Sequence, residues 1–229
     1  MAKVVKEMTM YDLAQQDYQV LEEMISKDPS LITKKDTNDR YLLHWAALGG
    51  RDLLVEELLK RTPDQLEATD DTNATPLVLA TLGGHLSTVR MLAARGADVN
   101  HKNWQGHSPL QYACSKGHFE IVKFLLEQGA DINVTDNRND TSLHRVASQG
   151  RTEILKYLLE HKAKVDVQNA EGNTALHLAC EDEQSACAML LVENGASGTI
   201  ENKEKKTPLD VAKPGLRRNM KTKLGISDE

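Results

Sequence analysis

Apolar residues along this chain come in short, repeated blocks rather than in one long run. In the clearest block, Ile121, Val122, Leu125 and Leu126 recur at helical spacing, and a Gly-Ala pair at 129–130 follows them. This spacing places the four side chains on one side of a helix, and the glycine is typical of a helix end. A leucine and a pair of small residues upstream of the block indicate a second, shorter helix. The pattern therefore predicts pairs of short helices separated by exposed turns.

The leucine that opens each pair recurs at a fixed interval. Five leucines are 33 residues apart, and a sixth precedes them by 34: Leu43, Leu77, Leu110, Leu143, Leu176 and Leu209. Each belongs to a four-residue signature such as Thr75-Pro76-Leu77-Val78 or Thr174-Ala175-Leu176-His177. A threonine hydroxyl can cap a helix by accepting from its first N–H groups, and a proline is tolerated in the first turn. Self-similarity at this period is the mark of a repeat protein.

The period and the Thr-Pro-Leu-His type of signature resemble the ankyrin-repeat family. This resemblance implies an all-α fold, an ankyrin-repeat solenoid of seven helix-turn-helix units with β-turn fingers. No linker divides the sequence, so we expect a single ankyrin-repeat domain over residues 1–229. Residues 1–35 are predicted to form an N-terminal capping repeat, 36–201 five regular repeats, and 202–229 a C-terminal capping repeat and tail. In the last repeat, Pro214-Gly215 and a basic tail are expected to replace the regular second helix.

Composition narrows the function without changing the fold. The net charge is −6, with 28 Lys and Arg against 34 Asp and Glu, which counts against a general nucleic-acid binder. Aromatic residues are only 4% of the chain, so the core is expected to consist of Leu, Ile, Val and Ala. The opening residues MAKVVKEMTM lack the apolar stretch of a secretion signal, and no segment has the length of an apolar membrane span. We therefore expect a cytoplasmic and nuclear protein with reduced thiols.

The histidines and cysteines fit the repeat rather than an active site. His44, His144 and His177 occupy the fourth signature position, where we expect the ring to hydrogen-bond the adjoining turn. Cys114 and Cys180 occupy equivalent small-residue positions two repeats apart, too far for one disulfide or one metal. None of the common catalytic or phosphate-binding motifs is present. The sequence therefore predicts no enzyme activity, no cofactor and no metal.

The remaining possibility is a protein-binding surface. In a stacked repeat array, the fingers and the exposed side of the first helices form a concave groove that usually holds the partner. Arg and aromatic residues are the usual energetic centres of an interface, and mixed charge gives it specificity. Trp104, at a finger tip, is expected to pack on the next finger or to contact a partner. The residues predicted to bind a protein are Asp39, Arg40, Trp45, Asp70, Asp71, Lys116 and Arg145.

Over its whole length the chain also resembles the gankyrin-like proteins, which are ankyrin-repeat assembly chaperones of the 26S proteasome base. The resemblance is sharpest at 171–180 (EGNTALHLAC) and 200–213 (IENKEKKTPLDVAK), where the ankyrin fold does not dictate the finger residues. It implies that the groove binds the C-terminal domain of a proteasome base ATPase subunit through complementary charges. Arg40, Asp71 and Lys116 match contact positions of that family. The other four predicted residues come from the groove alone.

Other binding functions stay open. Gankyrin-like proteins can carry a Leu-x-Cys-x-Glu pattern that binds retinoblastoma protein. Here the segment Leu178-Ala179-Cys180-Glu181-Asp182 ends in Asp and lies in a predicted first helix, so we do not expect that binding. A cyclin-dependent-kinase binder of the ankyrin type, or a general scaffold adaptor, would use the same groove, although such kinase inhibitors usually have fewer repeats. We expect a monomer when free, with no nucleic-acid or membrane partner.

Overall fold

The computed structural model describes residues 8–226, which form helices and turns with no β-strand in that range. Residues 1–7 and 227–229, the outer ends of the two predicted caps, lie outside the described residues. The described residues fall into two compact bodies. The N-terminal body contains 8–104 and 123–130, and the C-terminal body contains 105–122 and 131–226.

Short helices follow one another in the predicted helix-turn-helix order. In chain order they are α1 (Met10–Ala14), α2 (Tyr18–Lys27), α3 (Leu42–Leu48), α4 (Asp52–Arg61), α5 (Pro76–Gly83), α6 (Leu86–Ala94), α7 (Pro109–Lys116), α8 (Phe119–Glu127), α9 (Ser142–Ser148), α10 (Thr152–Glu160), α11 (Ala175–Glu181), α12 (Ser185–Glu193), α13 (Pro208–Val211) and α14 (Pro214–Leu224). Single 3-10 helices, Pro29–Ile32 and Pro63–Glu67, follow α2 and α4. Within residues 8–226, no helix combines the length and apolar character needed to cross a lipid bilayer.

Within each body, first helices pack on first helices and second helices on second helices. In the N-terminal body α3 packs on α5 and α4 on α6, and in the C-terminal body α9 packs on α7 and α11, and α10 on α12. The signature leucines lie at these contacts and are buried, from Leu43 through to Leu209. Burying a leucine side chain stabilises a fold by about 1.5–3 kcal/mol. A repeat gains this stabilisation only when its neighbour covers the leucine.

The signature residues begin the first helices as the sequence predicts. The hydroxyl groups of Thr75, Ser108 and Thr207 accept hydrogen bonds from the backbone N–H three residues on, at 3.4, 3.3 and 3.2 Å. The proline that follows each of them lies in the first turn, where its missing N–H costs nothing. These caps satisfy donors that the helix itself leaves unpaired.

The structural role predicted for His44, His144 and His177 is confirmed. In each of these rings, Nδ1 accepts a hydrogen bond from the backbone N–H of the helix-capping residue at 3.0–3.2 Å. The ring proton is therefore on Nε2, which donates to a backbone carbonyl of the next turn at 3.0–3.1 Å. Burial lowers the pKa of all three rings, that of His44 to about 4. Gln111 occupies the same position, and its amide accepts from the Ser108 N–H at 3.1 Å and donates to a carbonyl at 2.7 Å. In these four repeats the position holds a neutral group that both donates and accepts, whereas Val78 and Asp210 occupy it in two other repeats.

The last repeat departs from the sequence prediction. Residues Pro214–Leu224 form α14, an eleven-residue helix, where the sequence pattern favours a basic tail without a regular second helix. Pro214 lies in the first turn, so it begins the helix instead of breaking it. Leu216 and Met220 are buried one turn apart, and Arg217 donates to three backbone carbonyls at the end of α13, at 2.7–3.2 Å. The basic residues of this segment are therefore carried on a packed helix.

Candidate protein-binding site

In the fingers that contain residues 36, 70, 136, 169 and 202, an Asp or Asn side chain accepts hydrogen bonds from the backbone of its own turn. In Asp70, Oδ1 accepts from the backbone N–H groups of Thr72 and Ala74, at 2.9 and 2.8 Å, and from the Thr72 hydroxyl at 2.7 Å. The same bonds to the N–H groups two and four residues on are made by Asp36, Asp136, Asn169 and Asn202. Asp and Asn suit this position because their short side chains reach their own backbone. We call this position the turn acceptor.

Backbone hydrogen bonds join neighbouring fingers within each body. In the N-terminal body, the Asp71 N–H donates to the carbonyl of Asn38 and the Trp104 N–H donates to the carbonyl of Thr72, both at 3.0 Å. In the C-terminal body, the same bond runs from residue 137 to 105, from 170 to 138 and from 203 to 171, at 2.7–3.1 Å. Because each bond uses the equivalent donor and acceptor, the fingers of each body lie in register.

Two of the predicted contact residues, Arg40 and Asp70, are paired with each other. Nε and Nη2 of Arg40 donate to Oδ2 of Asp70 in the next finger, at 2.9 and 2.8 Å. The side chain of Asp70 is 0% exposed and that of Arg40 is 18% exposed. Burial alone would raise the pKa of Asp70, but hydrogen bonds from Thr72, Ala74 and Arg40 outweigh it and hold the pKa below its ordinary value. Asp70 therefore does not contact a partner directly, and it affects binding only by fixing the position of Arg40, which is partly exposed.

Trp45 joins the same group of side chains. The guanidinium of Arg40 lies over the indole ring, 4.7 Å from its centroid, and the indole N–H donates to Oδ2 of Asp36 at 2.7 Å. Tyr11 packs edge-on against Trp45, with ring centroids 5.4 Å apart. Because both the ring face and the ring nitrogen are held, Trp45 is a half-buried, oriented side chain rather than a mobile one. We call Asp36, Arg40, Trp45 and Asp70 the N-terminal cluster.

Arg145 belongs to a comparable cluster in the C-terminal body. It follows the turn acceptor Asp136 by nine residues, as Trp45 follows Asp36, and its guanidinium donates to Oδ2 of Asp136. Nη2 of Arg145 also donates to Nε2 of His107 at 2.8 Å, and that nitrogen lies 3.4 Å from the same carboxylate. Burial and the charge of Arg145 lower the pKa of His107, which favours the neutral ring that this bond requires. We call His107, Asp136 and Arg145 the C-terminal cluster.

Three predicted contact residues are accessible to a partner. Asp39, Asp71 and Lys116 are exposed. Asp39 has a left-handed backbone, with φ of 57°, and its carboxylate lies 4.0 Å from the ammonium of Lys35. Lys116 is the last residue of α7, and within residues 8–226 it forms no ion pair. The accessible set thus contains both signs of charge.

The structure adds residues that the predicted contact set omits. Asp36 and Asp136 orient Trp45 and Arg145, and His107 shares the Arg145 guanidinium. The nine-residue spacing from turn acceptor to helix could have identified the two acids. His107 occupies the finger position just before the signature Ser108, as Arg40 precedes Tyr41, but only the structure shows that it contacts Arg145 across 38 residues of sequence.

Other chemistry predicted from the sequence can be placed in the fold. In the described part of the chain, no group of three or more His, Cys, Asp or Glu side chains is arranged to hold a metal ion. The thiols of Cys114 and Cys180 are buried, and burial raises the pKa of each to about 12. The segment 178–182 begins within α11 and contains buried Cys180, so its recognition as an extended peptide would require α11 to unfold.

Packed helix pairs with fingers in register and accessible mixed charge define a class of protein, the repeat scaffold that binds other proteins. A family model described as Ankyrin repeats (3 copies) matches residues 10–103, 43–136, 100–169 and 143–215. The chain belongs to the ankyrin-repeat family, and its fold is typically a non-catalytic protein-interaction domain. The predicted fold class is therefore confirmed.

Curated relatives share the repeats over part of their length. Ankyrin repeat domain-containing protein SOWAHD of Mus musculus is 34% identical over 99 residues, which are 40% of this chain and 30% of that protein. Ankyrin repeat domain-containing protein 49 of Bos taurus is 39% identical over 83 residues, 36% of this chain and 31% of that protein. Palmitoyltransferase Hip14 of Drosophila melanogaster is 35% identical over 77 residues, 34% of this chain and 12% of that protein. The match thus spans less than a third of each of these relatives, so it concerns the repeats and not the whole protein.

Proposed function

We propose that this chain is a chaperone for assembly of the base of the 26S proteasome regulatory particle, and that it binds the C-terminal domain of an ATPase subunit. The observation that carries the proposal is the gankyrin-like sequence at 171–180 and 200–213. Each segment includes a finger, and the ankyrin fold leaves finger residues free to vary. On this proposal the protein is cytoplasmic and nuclear, uses no cofactor and catalyses no reaction.

The accessible charges support this function. Arg40, Asp71 and Lys116 match contact positions of gankyrin-like proteins, and all three are at least partly open to solvent. Arg40 is held in place by Asp70 and Trp45, so it meets a partner acid with little loss of side-chain freedom. Charges of both signs favour one orientation of the partner and speed its encounter.

The mechanism of such a chaperone is steric. A bound ATPase domain is covered on the side that contacts the fingers and first helices. While covered, it is kept from docking prematurely onto the proteasome core particle. Release of the chaperone then permits docking. The chaperone must therefore bind the ATPase domain strongly enough to hold it and weakly enough to be released.

A binding experiment tests the proposal directly. The tagged chain is used to capture partners from cell extract, and the purified C-terminal domain of each base ATPase subunit is then titrated by calorimetry. We expect one of these domains to bind, and Lys116→Glu to weaken it by about 1–3 kcal/mol, as for a broken interface ion pair. Lys156→Glu is the matched control and should bind normally, because the Lys156 side chain is exposed on the second helix α10. Failure of every ATPase domain to bind the unaltered chain would refute the function.

The same experiment separates the second candidate function. A cyclin-dependent-kinase binder would use the same fingers and first helices, because the fold is shared. Kinases in the eluate without proteasome base subunits would favour that function over the chaperone. If the Lys116→Glu variant bound the partner as tightly as the unaltered chain does, Lys116 would not belong to the contact set, and the rest of the proposal would stand.

A further inference from the structure

One kind of side-chain pair recurs between neighbouring fingers. The residue just before the helix signature bonds to the turn acceptor of the next finger. Three such pairs are Arg40 with Asp70, Asp140 with Asn169, and Asn173 with Asn202, at 2.7–2.9 Å. In each pair one side chain donates and the other accepts, so the two residues satisfy each other. We call this contact the finger pair.

The finger pair of His107 and Asp136 is incomplete. Nε2 of His107 lies 3.4 Å from Oδ2 of Asp136, which is longer than the about 2.7–3.2 Å of a typical hydrogen bond from nitrogen to oxygen. The same Nε2 accepts from Nη2 of Arg145 at 2.8 Å, and a neutral ring nitrogen that accepts has no proton to donate. The guanidinium of Arg145 pairs with Asp136 instead. One ring nitrogen therefore faces both a cation and a carboxylate.

Asp136 depends on a cationic neighbour. Its side chain is 1% exposed, and burial alone would raise its pKa, but hydrogen bonds from Arg145 and from the backbone N–H groups of Arg138 and Asp140 hold the pKa below its ordinary value. Removal of the cation from a buried carboxylate is strongly unfavourable. Arg145 is 29% exposed and is a predicted contact residue, yet it turns fully to a partner's acid only if another cation replaces it on Asp136.

His107 is placed to supply that cation. Burial and the charge of Arg145 oppose protonation of the ring, whereas the charges of Asp136 and Asp140 favour it. Tyr112 of α7 packs edge-on against the ring, with centroids 5.4 Å apart, and is uncharged at neutral pH. When the guanidinium moves away, the two carboxylates remain, and the protonated ring becomes the favoured form. In the N-terminal cluster the equivalent position holds Arg40, a permanent cation.

We propose that the C-terminal cluster binds a carboxylate of the protein partner together with one proton. The guanidinium of Arg145 pairs with the partner's carboxylate, Nε2 of His107 takes up a proton from the solvent, and the protonated ring donates to Asp136 in place of the guanidinium. The proton gained balances the negative charge that the partner brings. This inference rests on the proposed protein-binding function and adds to it a dependence on pH, with His107 as a positioning residue.

Ring titrations of the chain alone test the exchange without a partner. The histidine signals are followed by NMR against pH, and the His107→Gln spectrum assigns the His107 signal. Arg145→Gln mimics withdrawal of the guanidinium and should make His107 bind its proton about tenfold more tightly, which raises its pKa. Asp136→Asn should lower that pKa, and it keeps the turn because Asn169 holds its own turn with the same bonds.

The control for these titrations is His161, which follows α10 and lies outside the cluster. Its titration should be the same in every variant, and circular dichroism checks the fold of each. The two substitutions have opposite expected signs, so one folded variant is sufficient for the test. An unchanged pKa of His107 in a folded variant, or a shift in the other direction, would overturn the exchange.

Calorimetry with the ATPase domain that binds the unaltered chain measures the proton itself. The binding enthalpy is compared at pH 6.5 in buffers of different ionisation enthalpy, and we expect uptake of about half a proton or more, with binding that tightens as the pH is lowered. His107→Gln should lose this uptake and bind about threefold more weakly at pH 6.5. His161→Gln is the matched control and should retain the uptake.

The outcomes separate this inference from the proposed function. Binding of the domain without proton uptake, or equal uptake by the unaltered chain and the His107→Gln variant, would refute the exchange and leave the chaperone function in place. If no ATPase domain binds but the pKa of His107 shifts as expected in the two variants, the chaperone function fails and the exchange within the cluster stands.

Discussion

Replacement of Arg40 by leucine tests whether its pair with Asp70 holds two fingers together. The substitution removes two hydrogen bonds and leaves a carboxylate that is 0% exposed. Loss of one partner of a buried ion pair costs about 3–5 kcal/mol. Three hydrogen bonds from Thr72 and Ala74 remain on that carboxylate and offset part of the cost, while the stacking on Trp45, worth about 0.5–1 kcal/mol, is lost. We expect a destabilisation of about 3 kcal/mol.

Asp70→Asn provides the companion measurement. Asn169 and Asn202 hold their own turns with the same two backbone bonds, so an asparagine at position 70 should keep the turn. Only the charge is lost, and Arg40 retains access to water. We expect a cost of about 1 kcal/mol, as for a lost hydrogen bond. The double variant should then cost clearly less than the sum of the two single variants, because both remove the same interaction.

Urea unfolding at neutral pH, followed by helical circular dichroism, measures these costs as shifts in midpoint at constant slope. Arg138→Leu is the matched control, because Arg138 also pairs across fingers, with Glu171 at 2.7 Å, but both side chains are exposed. We expect no measurable shift for this variant, as is common for exposed pairs. An Arg40→Leu cost below about 0.5 kcal/mol, or strict additivity in the double variant, would show that the pair does not hold the fingers.

Three further predictions concern the buried side chains. Burial lowers the pKa of His44 to about 4, so between pH 6.5 and 4 the unfolded chain binds a proton at this residue and the folded chain does not. The free energy of unfolding should therefore decrease by up to about 3 kcal/mol as the pH is lowered through that window. His44→Gln should reduce this decrease, measured as urea midpoints, and an unchanged pH dependence would contradict the assignment. Leu110→Ala should cost about 2–5 kcal/mol, because the side chain is buried between packed helices; a midpoint within error of the unaltered chain would contradict this packing. Burial also raises the pKa of Cys114 to about 12, so a thiol reagent should modify it only after denaturant is added; rapid labelling of the native chain, assigned by mass spectrometry, would show that it is accessible.

The regular repeats could be predicted from the sequence because one interval fixes both the helices and their caps. The leucines from Leu77 to Leu209 and the Thr or Ser two residues before each of them have one structural task that depends on local spacing, and so do the histidines that follow Leu143 and Leu176. The role of His44 follows in the same way, since its partner N–H lies three residues away. Local rules therefore recover the helix pairs and the turns.

The use of the charged residues could not be predicted in this way. Arg40 and Asp70 are 30 residues apart, and Arg145 and His107 are 38 apart, so only the register between fingers reveals each pair. Asp70 and Asp71 are both acids in one finger, and the structure shows that one is buried and the other exposed. The sequence pattern does not predict the helix at Pro214–Leu224, for another reason. A Pro-Gly pair commonly ends structure, and only the packing of Leu216 and Met220 shows that it starts a helix here.

The turn acceptor has a consequence for how such a protein evolves. Aspartate and asparagine both accept the same two backbone hydrogen bonds of the finger, as Asp136 and Asn169 show within one body. A single-base change between them therefore adds or removes a negative charge in the finger while these backbone hydrogen bonds are kept. Each repeat offers this substitution separately, so the electrostatic preferences of the molecule can drift one finger at a time while its architecture is inherited intact.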